Sequence, residues 1–365
     1  MEKIDRANIL PAIALGLFVI LVFTISEFDS GERRAALKIG FVMTGNRNDS
    51  GWNGKHYAAV RKVCDEYGFT LLMKENVAEN TGACPKAVDE LAAEGANVIF
   101  LSSFGYPAEM FNLTENYPQI SFCGIVAEPT APNMTAYFAR MYQGRYLAGI
   151  IAGRRTKSGT IGYVAAMPNA EVNRGINAFA LGVQSVNPAA RVAVCWTNSW
   201  QDAEKESANV RRLVKEAGAD VITYHQNQAT SADAADALGV DFIGYHERLE
   251  GYSEHYLTSV VCRWEKFYGD MMARYLKGEL TARKTNWLGV ESDVVYLSEY
   301  SSVIDDDTRK RVERTQREML EDRRIFAGEI YDNEGKLRCG ADEVISDDIL
   351  LTRMDWLVKG VNVLD

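Results

Sequence analysis

GTIGYVAAMPNAEVNRGINAFALGVQSVNPAARVAVCWTNSWQD, residues 159–202, reads as one strand–helix–strand unit. Ile161 to Ala166 is a short apolar run, the pattern of a strand buried on both faces. Met167-Pro168-Asn169 breaks it, and Glu171 suits the positive N-terminal end of a following helix. Ile176, Phe179, Ala180 and Val183 recur at helical spacing, so one face is expected to pack on a sheet. Asn187-Pro188 ends the helix, Val192 to Trp196 is the next strand, and Asn198-Ser199-Trp200-Gln201-Asp202 is a polar turn bearing one large aromatic. In open α/β sheets, ligands bind beyond the carboxyl ends of the strands. The turns at Asn169–Glu171 and Asn198–Trp200 are therefore both expected at a ligand cleft.

The same rhythm extends in both directions. Leu37–Met43, Thr70–Met73, Asn97–Leu101 and Ile120–Ile125 read as strands, separated by helices over Trp52–Tyr67 and Pro85–Glu94. Arg140–Arg155 reads as a long helix before the opening unit. After it come a helix over Glu204–Ala217, strands over Asp220–His225 and Val240–His246, and a short helix over Ala232–Leu238. Strands alternating with helices imply parallel sheets with right-handed crossovers. Because the rhythm repeats, about 37–126 and again about 160–247, the fold class expected is α/β with two doubly wound parallel-sheet lobes. The last third departs from it. Strands are expected over Leu257–Val261 and Val294–Leu297, helices over Trp264–Lys277 and Asp307–Arg323, a hairpin turning at Asp332–Gly335, and a final helix over Asp347–Val358.

The chain has 365 residues, 47% of them hydrophobic, which suffices for two lobes with real cores. A formal net charge of -10 with no basic stripe disfavours nucleic acid as a partner. The six cysteines are scattered, with no CxxC, so a zinc site is not expected. A Cys64–Cys84 disulfide is conceivable outside the cell. Ile9 to Ile25 is uncharged and apolar, at the lower limit for crossing a bilayer, about 17 residues. It reads as a signal sequence or an uncleaved signal anchor; the poor cleavage site favours the anchor, followed by a polar tether over 27–36.

The strand-end turns supply aromatics with a few polar groups. They are Trp52, Asn53 and His56; Phe104 and Tyr106; Asn169 and Glu171; Trp200; Asn227; His246 and Glu247; and Arg263. Aromatic faces with a few edge hydrogen bonds suit a planar heterocycle in a mostly apolar cleft. Trp52 and Trp200, one from each lobe, could sandwich such a ring. Each of these residues also has a plain structural reading: core packing for a tryptophan, helix-end capping for His56 or Glu171. His225 and His246 end strands but have no acidic partner at metal-ligand spacing. No phosphate loop, GxSxG or HExxH is present, so neither enzymatic chemistry nor a cofactor is expected.

The opening stretch, with Gly162-Tyr163-Val164, Pro168, Glu171-Val172, Arg174–Phe179, Ser185–Pro188 and Asn198-Ser199-Trp200, resembles the basic-membrane-protein family of ABC-importer substrate-binding proteins, relatives of the purine-nucleoside receptors. The resemblance spans roughly residues 37–360. It implies a type 1 periplasmic-binding-protein fold, with lobes of 35–130 plus 262–288 and 140–256 plus 294–365; the anchor and tether read from the apolar run, 1–34, precede them. The lobes would be joined by a three-strand hinge, with crossings within 127–140, 255–263 and 285–297, and would close on ligand. It implies a small purine-like ligand stacked on Trp52 and Trp200, permease and ATPase partners, a monomer, and a place on the outer face of the cell membrane. His56 gains weight from a W-x-x-x-H pair in the resembled subgroup. Three departures stand out. No Cys lies before Cys64 for lipid attachment, Glu247-Arg248 stands where an Asp holds ribose, and Cys262-Arg263 stands where a Lys is usual. A membrane-anchored sensor using the same lobes is the alternative.

Overall fold

A computed structural model describes residues 37–49, 51–125, 131–280, 285–321 and 324–364. The apolar run Ile9–Ile25 and the tether lie outside the described residues, among which no helix is long and apolar enough to cross a membrane.

The first half lays down β1 (Lys38–Val42), α1 (Trp52–Tyr67), β2 (Thr70–Lys74), α2 (Ala83–Ala93), β3 (Val98–Leu101), α3 (Tyr106–Met110), β4 (Ser121–Ile125) and β5 (Met134–Ala139). The second half continues with α4 (Met141–Arg155), β6 (Thr160–Ala165), α5 (Ala170–Gln184), β7 (Arg191–Trp196), α6 (Ala203–Lys215), β8 (Val221–His225), α7 (Thr230–Ala237), β9 (Asp241–His246) and β10 (Tyr256–Cys262). Then come α8 (Trp264–Leu276), β11 (Thr285–Leu288), β12 (Val295–Leu297), α9 (Asp306–Leu320), the hairpin β13 (Ile330–Tyr331) and β14 (Leu337–Cys339), and β15 (Val361–Val363).

These strands form two large sheets. One has the order β2-β1-β3-β4-β5-β11 and is parallel throughout. The other has the order β15-β7-β6-β8-β9-β10-β12, with β12 alone antiparallel. In each, the first strand of the unit lies between the second and the third, so the winding reverses there and opens a crevice at the carboxyl ends. The chain passes between the sheets three times: from β5 into α4, from β10 into α8, which packs on α1, and from β11 to β12.

The opening stretch sits at the centre of the second sheet. β6 and β7 pair along their whole length, and α5 packs tightly on α4. That contact is a reciprocal glycine approach. A Cβ on Gly149 would lie 2.1 Å from the Phe179 carbonyl oxygen, and one on Gly182 would lie 2.1 Å from that of Tyr146. Backbone cannot rotate out of the way as a side chain can. Gly182→Ala is therefore expected to force the helices apart and cost at least ~1–3 kcal/mol of stability, read by urea denaturation. An unchanged midpoint would mean that the two helices are not in contact as described.

One expectation is cut back. Residues 347–358 are helical only over their first half, 347–353, where Ile349–Arg353 is wound as a π-helix; from Met354 onward no helix continues before β15. The cause lies on α5: Arg174 donates to the Leu350 carbonyl, and Asn173 and Asn177 to those of Met354 and Trp356, so side chains replace helical partners. β5 and β11, which lead into two of the three crossings, are also strands of the first sheet. The conceivable Cys64–Cys84 disulfide is not formed, both thiols being free. They sit in separate core clusters, the first with Phe41 and the second with Val42, which alternate to opposite faces of β1.

Candidate functional site

A cleft of about 460 Å³, open mouth included, lies between the carboxyl ends of the two sheets. Thr44 follows β1, Ser103 and Phe104 follow β3, and Ile125 ends β4. Glu171 follows β6, Trp200 follows β7, His225 ends β8 with Asn227 in the turn after it, and His246 ends β9; Trp52 and Phe138 complete the wall.

The backbone holds these groups by local means. Asn169 caps α5, its side chain accepting from Val172 N at 3.0 Å, and this places Glu171 in the first turn. Asn198 takes a left-handed φ of 54°, turning the chain so that Trp200 follows. Asn227 N donates to Trp200 O at 2.9 Å, tying the turns after β7 and β8 together. His246 also has a positive φ, 71°, a conformation that costs energy away from glycine and recurs at binding sites. On the opposite wall, Trp52 Nε1 donates to the Ser102 carbonyl at 2.9 Å.

The walls touch at one rim. Lys55 of α1 pairs with Glu247 beyond β9 at 2.5 Å, and the Trp52 ring meets the His246 ring edge-on at 5.8 Å. Gly51, at the start of α1, abuts the backbone of Asn227 so closely that an added Cβ would lie 1.3 Å from its carbonyl oxygen.

Of the sequence-predicted residues, Trp52, Phe104, Glu171, Trp200, Asn227 and His246 stand on the cleft wall. The others do not, and each is engaged elsewhere. Asn53 is buried and shapes the loop after β1, accepting from Gly45 N at 3.1 Å and donating to Asp49 at 2.7 Å. His56 is wedged between the tilted rings of Trp52 and Trp264, with Nδ1 2.5 Å from the Tyr268 hydroxyl. Tyr106 donates to the Val77 carbonyl, Asn169 serves as the helix cap, and Glu247 is consumed by Lys55. Arg263 pairs with Asp293 and lies over the Tyr296 ring. Thr44, Ser103, Ile125, Phe138 and His225 were missed. The strand-end rule alone would have found all of them except Phe138, whose strand was itself unread.

The second sheet's wall is electrostatically unusual. Arg145 is fully buried behind it, donating to Thr223 and the Tyr224 carbonyl and lying 3.7 Å from the Tyr245 ring centre. His225 Nε2 stands 3.5 Å from Glu171 Oε1. Burial holds the imidazoles of His56 and His246 neutral to well below their ordinary range. It lowers His225 too, against the pull of Glu171 and with Arg145 adding to the effect. In the unfolded chain each would titrate near ~6.5. The native state thus takes up fewer protons as pH falls through that value, so stability is complete above it and declines toward pH 5. The melting temperature is expected to drop between pH 7 and pH 5, with a shallower drop in His56→Phe. A flat profile would mean that the imidazoles are not held neutral.

Two wound parallel sheets facing one aromatic cleft define the class: a two-lobed ligand-binding α/β protein. The comparisons place it more closely. Residues 36–331 match the family model of PnrA-like ABC transporter substrate-binding proteins, and the chain belongs to that family. A purine-binding protein of Brucella abortus (strain 2308) is 32% identical over 350 residues, covering 94% of this chain and 99% of the relative. A Haloferax volcanii protein designated provisionally as the ABC transporter glucose-binding protein TsgA13 is 34% identical over 317 residues, covering 86% and 77%. Among solved structures, a transcriptional activator of the comK gene from Bacillus halodurans superposes with a TM-score of 0.69 at 20% identity, covering 78% and 98%, and so shares the fold.

Proposed function

We propose that the cleft captures a purine base or nucleoside and that the protein hands it to an ABC importer on the outer face of the membrane. The observation that supports this reading is the make-up of the wall. Four aromatic side chains, Trp52, Phe104, Phe138 and Trp200, accompany a single formally charged group among the described lining residues, Glu171. Such a wall suits a flat, uncharged ring with a few hydrogen-bonding edges. A phosphorylated ligand would meet a carboxylate and no cation on the wall. Capture proceeds by closure: lobes of 35–130 plus 262–288 and 140–256 plus 294–365 turn about the three crossings, and the 1–34 segment tethers the monomer to the membrane.

The Haloferax relative favours a second reading, a sugar. The two are separated by a thermal-shift screen, because a ligand that binds only the folded state raises the melting temperature. Adenine, hypoxanthine or their nucleosides are expected to stabilise the protein, and glucose is not. Stabilisation by glucose alone would replace the purine reading with the sugar.

A further inference from the structure

His225 was not among the residues expected to meet a ligand, yet it occupies the cleft floor at the end of β8. Its surroundings come from four elements. Glu171 and Arg174 approach from α5, Arg145 from α4, Tyr163 from β6, and Tyr245 and His246 from β9. Nε2 lies 3.5 Å from Glu171 Oε1 and 3.4 Å from the Tyr245 hydroxyl, and Nδ1 is buried with no partner. This geometry selects the tautomer. A nitrogen facing a carboxylate is favoured only if it bears the proton, since a lone pair would be repelled. The carboxylate thus favours the tautomer with the proton on Nε2, the nitrogen that faces both Oε1 and the Tyr245 hydroxyl. A separation of 3.5 Å is loose, as in many ligand-free sites, and shortens when water leaves the cleft.

Glu171 is nine-tenths buried on the cleft wall, and its carboxylate faces His225. We propose that His225 is a positioning residue: its Nε2–H holds one oxygen of Glu171 so that the other addresses an N–H donor on the ligand's edge. The inference rests on the purine reading of the cleft and deepens it, for it makes the site select rings that present an amino or lactam N–H toward α5. An imidazole also suits this place better than a cationic side chain would. With Arg145 and Arg174 both buried nearby, a further permanent positive charge would be repelled.

The test measures adenine and hypoxanthine binding by calorimetry at pH 7.5 to the wild-type protein and to variants. His225→Gln keeps an N–H where Nε2 stood and is expected to bind within about twofold of wild type. His225→Phe removes it and is expected to bind roughly tenfold more weakly, the scale of one hydrogen bond to a charged group. Should the phenyl ring not be accommodated, His225→Asn, too short to reach Glu171, carries the same expectation. In a Glu171→Gln background the His225→Phe or His225→Asn change is expected to cost little more, because its effect runs through the carboxylate. Equal losses in both backgrounds, or a Gln variant as weak as the Phe variant, would overturn the positioning role while leaving the purine reading intact. Failure of the wild-type protein to bind either probe would overturn both.

Discussion

Gly51→Ala is expected to weaken ligand binding roughly 100-fold, the upper part of the ~1–3 kcal/mol cost of overpacking. Gly51 lies where α1 of one lobe meets the turn after β8 of the other, and an added methyl would fall 1.3 Å from the Asn227 carbonyl oxygen. The obstacle is backbone on both sides, and the Asn227 turn is itself tied to Trp200 by a 2.9 Å hydrogen bond, so neither partner yields by a rotamer change. The clash exists only when the lobes are together. The variant should therefore fold normally without ligand, while its competent, closed state becomes scarce and the apparent affinity falls in proportion. Calorimetry gives the affinity, and small-angle scattering should show that ligand no longer compacts the variant. Wild-type affinity in Gly51→Ala would mean that binding does not require this contact. A drop in ligand-free melting temperature would instead place the strain within one lobe.

Trp200→Ala is expected to lose ~1–3 kcal/mol of binding, the worth of one stacking face, which is roughly 5- to 150-fold in dissociation constant. The structure makes this the cleaner of the two tryptophan tests. Trp52 packs against His56, Phe138, His246 and Trp264 and also donates through Nε1, so removing it disturbs the whole wall. Trp200 is only partly buried, and its nearest recorded ring neighbour is His225 at 6.3 Å. Its loss should thus leave ligand-free stability nearly untouched. If a purine binds the alanine variant as tightly as the wild type, the ring is not held between the two tryptophans. If affinity and stability fall together, Trp200 is part of the core rather than a ligand surface.

The alternation of apolar strands with amphipathic helices was legible because each element's periodicity is local. The helix over Trp52–Tyr67 was read to its ends, and the strands flanking it within a residue. β5 was not read as a strand of the first sheet because Met134–Ala139 is buried throughout, so no alternation announces it. The last helix was read too long for the opposite reason. Residues 347–358 have an acceptable helical pattern, but Asn173, Arg174 and Asn177 reach across from α5 and take the carbonyls that a helix would have used. Those same polar residues are the most distinctive part of the opening stretch, and sequence reading gave them no task.

For the cleft, the order of strands sufficed to say that turns such as 198–202 and 169–171 would face a ligand, since the carboxyl-end rule follows from the winding of a parallel sheet. Which side chains of those turns enter the cleft was decided only by tertiary contacts. Asn53 and Asn169 are spent on backbone donors, His56 on Tyr268, Glu247 on Lys55 and Arg263 on Asp293. His225 gained an acidic partner that lies 54 positions away in the chain and beside it in space. Local sequence determines where a chain turns, because propensity and periodicity act over a few residues. The partner of a buried polar group is set by whichever distant segment packs there, because an unpaired one costs too much to leave.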